Sequence, residues 1–165
     1  MAKQLLLVRH GKSDWGNLDL KDFDRPLNKR GKENAPEMAE RLINKGFKFD
    51  LIVSSPAKRA KTTAKYFAEA YKTDQIQFEE AIYEASSKTL LHIINGFKDE
   101  VDNVVMFGHN PGFTDLANEL SDADLYNIPT AGMVLISFPF DSWAMVSKGT
   151  GEMVFFDYPK NSDEM

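Results

Sequence analysis

Leu5-Leu6-Leu7-Val8-Arg9-His10-Gly11 opens with four consecutive apolar residues that run straight into a cation, an imidazole and a glycine. An apolar run that does not alternate with polar residues reads as a strand covered on both faces. Such strands belong to parallel sheets with helices on either side. The three residues that end the run form a compact kit for handling phosphate. The arrangement recurs twice: Ser54-Ser55-Pro56-Ala57-Lys58-Arg59-Ala60 follows the apolar run at Leu51, and Gly108-His109-Asn110-Pro111 follows the one at Val104.

Outward from the first run, Pro26 to Asn28 reads as a turn and a helix follows to about Lys45. Ala35, Met38, Ala39, Leu42 and Ile43 fall on one face of it, and Gly46 is placed to stop it. Leu51–Ser54 is the second strand. Ser55 reads as the N-cap of the next helix, with Pro56 at its first position and Ala60, Ala64, Phe67, Ala68 and Tyr71 along it. Gln75–Phe78 is a weak third strand, Lys88–Phe97 a third helix and Val104–Gly108 a strong strand. A further helix is expected from about Gly112 to Leu120. Met133–Phe138 and Glu152–Tyr158 close the chain as an antiparallel pair around a turn near Lys148–Gly151. The order βαβαβαβα followed by ββ predicts an α/β fold, a mostly parallel sheet with helices on both faces and antiparallel additions at one side. In such sheets ligands bind at the carboxyl ends of the strands, where all three motifs lie.

The 165 residues are expected to form one domain, residues 1–165, with 42% apolar and 27% charged residues, ordinary for a globular chain. A net charge of −5 without a long basic run argues against nucleic acid as a partner. The sequence has no cysteine, which excludes disulfides and thiolate metal sites. The first apolar stretch is too short for a signal peptide or a membrane span, so a cytoplasmic location without membrane attachment is expected. The tail from Lys160 to Met165 is polar and expected to fray.

Arg9, His10, Arg59 and His109 together match the demands of phosphoryl transfer. Two guanidiniums can fork onto the equatorial oxygens. One neutral imidazole can attack phosphorus in line, and a second can support the oxyanion. Gly11 lets backbone approach the phosphate closely. The helix after His109-Asn110-Pro111 presents N–H groups that favour an anion.

These residues carry a family resemblance. Leu7-Val8-Arg9-His10-Gly11-Lys12-Ser13-Asp14-Trp15 resembles the signature of the histidine phosphatase superfamily, the phosphoglycerate mutase-like proteins. Ser54-Ser55-Pro56 through Arg59-Ala60 resembles its second-arginine motif, and Gly108-His109-Asn110 its second-histidine motif. Asp22-Phe23-Asp24-Arg25-Pro26-Leu27-Asn28-Lys29-Arg30-Gly31 and Ile128-Pro129-Thr130-Ala131-Gly132 are most similar to the compact SixA branch, the phosphohistidine phosphatases. The resemblance implies a three-layer αβα sandwich, His10 as the phosphorylated nucleophile, and Arg9, Arg59 and His109 around the phosphate. Gly11, Lys12, Ser13 and Asn110 become candidate substrate contacts. No cofactor and no metal are implied. The sequence departs from mutase-type members: Lys12 stands where they carry an acid, and Gly16 where they carry an asparagine. There is also little room for their long insertions, so a mutase is disfavoured.

The reading is therefore a metal-independent phosphatase working through a phosphohistidine on His10. Its partner is a protein phosphohistidine or, alternatively, a small phosphomonoester. A rival from another class, a non-catalytic phosphate reader, would keep the arginines and lose one histidine. The general acid is open between Glu84, Asp22 and Asp24, or no strong acid is needed because imidazole leaves more easily than an alkoxide. Plainer roles are assigned elsewhere. His92 is structural or on the surface, Lys29, Arg30 and Lys32 lie on a solvated helix face, and Phe155, Phe156 and Tyr158 pack on the sheet. Trp15 and Phe23 either line the substrate mouth or pin a loop.

Overall fold

A computed structural model describes residues 2–160; the expected fraying beyond Lys160 falls on residues 161–165, which lie outside the described residues. Six strands form one sheet: β1 (Lys3–Arg9), β2 (Leu51–Ser54), β3 (Gln77–Phe78), β4 (Asn103–Gly108), β5 (Met133–Phe138) and β6 (Glu152–Asp157). Four helices connect them: α1 (Lys29–Asn44), α2 (Lys58–Ala70), α3 (Ser87–Asn95) and α4 (Gly112–Leu120). The strand order is β3-β2-β4-β1-β5-β6. β3, β2, β4 and β1 are parallel, and β5 and β6 are added antiparallel.

Right-handed crossovers fix which face each helix covers. From β1 the chain steps past the β4 position to β2 and on to β3, so α1 and α2 lie on one face. It then turns back through α3 to β4, which puts α3, and α4 beside it, on the other face. The strands show both layers. Leu6 and Val8 of β1 pack with Met38, Leu42 and Phe67, while Leu5 and Leu7 pack with Ile94, Phe113 and Leu116. All four β1 side chains are fully buried. Each contributes roughly 1.5–3 kcal/mol through burial.

β1 and β4 are hydrogen-bonded neighbours, yet their following helices leave toward opposite faces. That is the switch point where an open α/β sheet parts at its carboxyl end. Arg9 of β1 sits in register with Gly108 of β4, so the next residues, His10 and His109, emerge side by side.

Two local expectations need correction. Ser55 is not the N-cap of α2, and Pro56 is not its first residue. Ala57 is still outside helical geometry (φ −56, ψ 138), and the helix starts at Lys58. The β5–β6 pair is antiparallel as expected, but residues 139–151 make more than a tight turn. They include a short 3-10 turn at Trp143–Met145 that seats the fully buried Trp143 indole, whose Nε1–H donates to the Val101 carbonyl at 2.6 Å.

Candidate active site

His10 is pinned by backbone on both sides. Its N–H donates to the Gly108 carbonyl (3.1 Å), and its carbonyl accepts from the Ala131 N–H (2.9 Å). The ring Nδ1 lies 2.6 Å from the Gly11 carbonyl. A carbonyl only accepts, so Nδ1 holds the proton and Nε2 keeps its lone pair. Burial pushes the His10 pKa down to about 3; neighbouring His109, Arg59 and Arg9 push the same way, against the Gly11 hydrogen bond. The imidazole is neutral at pH 7 with Nε2 unprotonated.

His109 stands beside it, the ring centroids 5.2 Å apart. Burial, then Arg59, lower its pKa to about 4. Its Nε2 is 2.8 Å from the Ser55 hydroxyl, and its buried Nδ1 has no partner among the described residues. When Ser55 donates to Nε2, the Nδ1 position carries a proton available to a phosphoryl oxygen. Ser55 is thus a site residue that sequence reasoning assigned to a helix cap.

Two cations complete the centre. Arg9 donates through Nη1 to the Ile128 carbonyl (2.9 Å) and keeps its buried Nε unpartnered among the described residues. Burial, then the like charge of Arg59, lower its pKa. Arg59, in the first turn of α2, points its Nε–H at His10 Nε2 from 3.4 Å. Two guanidiniums, Arg59 buried and Arg9 half-buried, around an uncharged nucleophile favour an anion between them.

Arg59 is also held from the far side. Its Nη1 donates to the Asp22 carbonyl at 2.7 Å, and its Nη2 to Asp22 Oδ2 at 3.0 Å. The same carboxylate oxygen accepts from the Tyr83 hydroxyl at 2.6 Å. These contacts lower the Asp22 pKa, with the Tyr83 hydrogen bond the largest cause and Arg59 acting the same way. Tyr83 is raised to about 12, first by burial and then by Asp22. Its ring packs edge-on against Phe23 and His109, so Phe23 pins the loop that carries Asp22.

The three acid candidates separate. Asp22 is held ionised and has no proton to give at neutral pH. Asp24 is exposed, and among the described residues no hydrogen bond or ion pair joins it to the centre. Glu84 lines a cavity of about 460 Å³ shared with Ser86, His109, Asn110 and Asp115.

Two residues expected at the phosphate are also tied into the scaffold. The Gly11 N–H donates to the Thr63 hydroxyl (2.9 Å), and the close approach it permits is to Gly31 of α1, whose carbonyl a Gly11 Cβ would meet at 3.1 Å. The Asn110 amide nitrogen donates to Asn127 (2.8 Å) and the Ile128 carbonyl (2.9 Å), while its oxygen accepts from the Thr114 hydroxyl (2.9 Å). It braces the loop that holds Arg9. Ser13 forms a bridge with Leu27, and Lys12 is exposed at the edge of a separate cleft. Trp15 is 61% exposed, with the Arg25 guanidinium stacked 3.8 Å from its ring centre. His92 is exposed on α3.

Residues 5–93 match the family model of the histidine phosphatase superfamily (branch 1). A protein from Arabidopsis thaliana, At3g52155, chloroplastic, is 29% identical over 153 residues, covering 87% of this chain and 70% of that protein. The fold superposes on a candidate phosphohistidine phosphatase SixA from Nakamurella multipartitia with a TM-score of 0.84 at 21% identity, covering 96% of this chain and 97% of the other. A second candidate SixA, from Agrobacterium tumefaciens, gives a TM-score of 0.79 at 27% identity, covering 95% and 98%.

Proposed function

The chain belongs to the histidine phosphatase superfamily and is a hydrolase of the phosphatase class, and from that premise we propose that it removes phosphoryl groups through a phosphohistidine formed on His10. The observation that carries this is the state of His10: proton locked on Nδ1 by the Gly11 carbonyl, Nε2 unprotonated, and the Arg59 Nε–H pointed at that lone pair. In the first step Nε2 attacks phosphorus in line. The N–P bond forms as the bond to the leaving group breaks, while Arg9, Arg59 and His109 hold the three equatorial oxygens. In the second step water attacks the phosphohistidine, phosphate leaves, and His10 Nε2 recovers its lone pair.

The substrate we propose is phosphohistidine on a protein, with the cytoplasm as the place of action. The motif resemblance to the SixA branch supports this, as does the likeness to the Agrobacterium tumefaciens protein. The chemistry agrees with it. With Asp22 ionised, the centre offers no strong acid beside Arg59, and an imidazole leaves with less protonation help than an alkoxide. A second reading, a phosphatase of small phosphomonoesters, draws on Glu84, which lines the same cavity as His109.

Incubation with a labelled phosphoryl donor tests the mechanism. An acid-labile, base-stable label on wild type, absent in His10→Gln, is expected; a folded protein that hydrolyses the phosphoryl donor without ever labelling would refute it. Competition between a phosphohistidine protein and a panel of phosphomonoesters, scored by kcat/KM, decides the substrate.

A further inference from the structure

A second concave site adjoins the phosphoryl pocket without using any of its four principal residues. Lys12, Arg30, Asn34, Thr130, Tyr158 and Lys160 surround most of a cleft of about 170 Å³. Three of its lining residues are cations and none is a carboxylate. Among the described residues, the ion pairs involve Lys3, Arg41, Lys45 and Arg59, and none involves Lys12, Arg30 or Lys160. Arg30, expected on a solvated helix face, is exposed in the first turn of α1, whose end N–H groups add positive potential to the cleft. Three unpaired cations facing one concavity repel one another until an anion enters.

The cleft and the phosphoryl pocket share a wall. Lys12 is two residues beyond His10, so their Cα atoms are at most about 7.6 Å apart. Thr130 precedes Ala131, whose N–H holds the His10 carbonyl at 2.9 Å, and Ile128 in the same turn holds Arg9. A water occupies roughly 30 Å³, so the cleft has room for one phosphate or carboxylate group with part of its hydration shell.

We propose that the Lys12–Arg30–Lys160 cleft is a second anion subsite, which takes a carboxylate or phosphate carried by the same substrate whose phosphoryl group meets His10. On the phosphatase reading, that anion is either an acidic side chain flanking a phosphohistidine or a second acidic group on a small phosphate ester.

The subsite is tested without turnover by titrating His10→Gln with inorganic phosphate and following backbone amides by NMR. Phosphate should move the Asn34 and Thr130 amides with a dissociation constant of their own. Adding Arg30→Gln and Lys160→Gln should weaken that constant by about tenfold, the effect of losing charge-assisted contacts. Still amides, or an unchanged constant in the triple variant, would overturn the subsite. Its use by substrate is read as the kcat/KM ratio within two pairs: phosphohistidine peptides with a Glu or a Gln flank, and aryl phosphates with or without a carboxylate. Preference for the acidic member of one pair, lost in Arg30→Gln/Lys160→Gln, supports the proposal and identifies the source of the anion. No preference in either pair overturns it. If neither peptide is hydrolysed, the phosphohistidine reading fails, while the aryl pair and the phosphate titration still decide the subsite.

Discussion

Acid should weaken this fold through its two central histidines, by an amount that can be worked out. An unfolded histidine titrates near 6.5. In the folded protein, burial and neighbouring cations hold His10 at about 3 and His109 at about 4. Between those values the unfolded chain binds protons that the folded chain refuses. Stability from the two sites is therefore complete above pH 6.5 and falls as the pH drops toward 4. At 1.36 kcal/mol per pKa unit, going from pH 7 to 4.5 costs about 2.5 kcal/mol for each histidine and about 5 kcal/mol for both. That is comparable to the whole stability of many domains. Urea unfolding of wild type and His10→Gln across pH 4.5–7.5 isolates one share, because all other titrating groups are common to both. The wild-type curve should fall more steeply, by about 2.5 kcal/mol over the range. Parallel curves would mean that His10 titrates normally when folded, and that it is not the desolvated neutral nucleophile described above.

Three other perturbations have defined outcomes. Arg59→Ala should lower kcat/KM by about 10²–10³, the scale for removing a preorganised donor to a charged transition state; an unchanged value would place Arg59 outside the reaction. Asp22→Asn removes the carboxylate that holds Arg59 and Tyr83, so inhibition by inorganic phosphate should tighten and the Tyr83 pKa, now about 12, should fall on spectrophotometric titration. Gly112→Ala should destabilise the fold by about 1–3 kcal/mol through overpacking, because its Cβ would run into the Ala85 carbonyl, and a thermal melt reads this directly.

The elements of this fold were legible because each leaves a local periodic trace. The unbroken Leu5–Val8 run announced a strand covered on both sides, and the i, i+3, i+4 spacing of Ala35, Met38, Ala39 and Leu42 marked the buried face of α1. Arg9, His10, Arg59 and His109 were legible because each sits in or just after a strand-end motif. Ser55 was visible but misassigned. Local rules see a serine before a proline as a cap, while its actual partner, His109, is 54 residues away. The Asp22–Tyr83 pair, 61 residues apart, has no local signature either. Asn110 is a candidate substrate contact through the second-histidine motif, and its bond to the Ile128 carbonyl joins it to a loop that only tertiary structure brings near.

The spacing of the two central imidazoles is a property of the sheet rather than of any side chain. Adjacent strands stand about 4.7–4.9 Å apart by backbone hydrogen bonding, and the rings that extend β1 and β4 are 5.2 Å apart. Reaction geometry is thereby insulated from surface variation. The exposed loop residues 15–19, which hold neither ring, can change while the two rings keep their separation. Such a scaffold permits new substrates to be recruited by rewriting the rim alone, and an engineer seeking altered selectivity would leave both strands untouched.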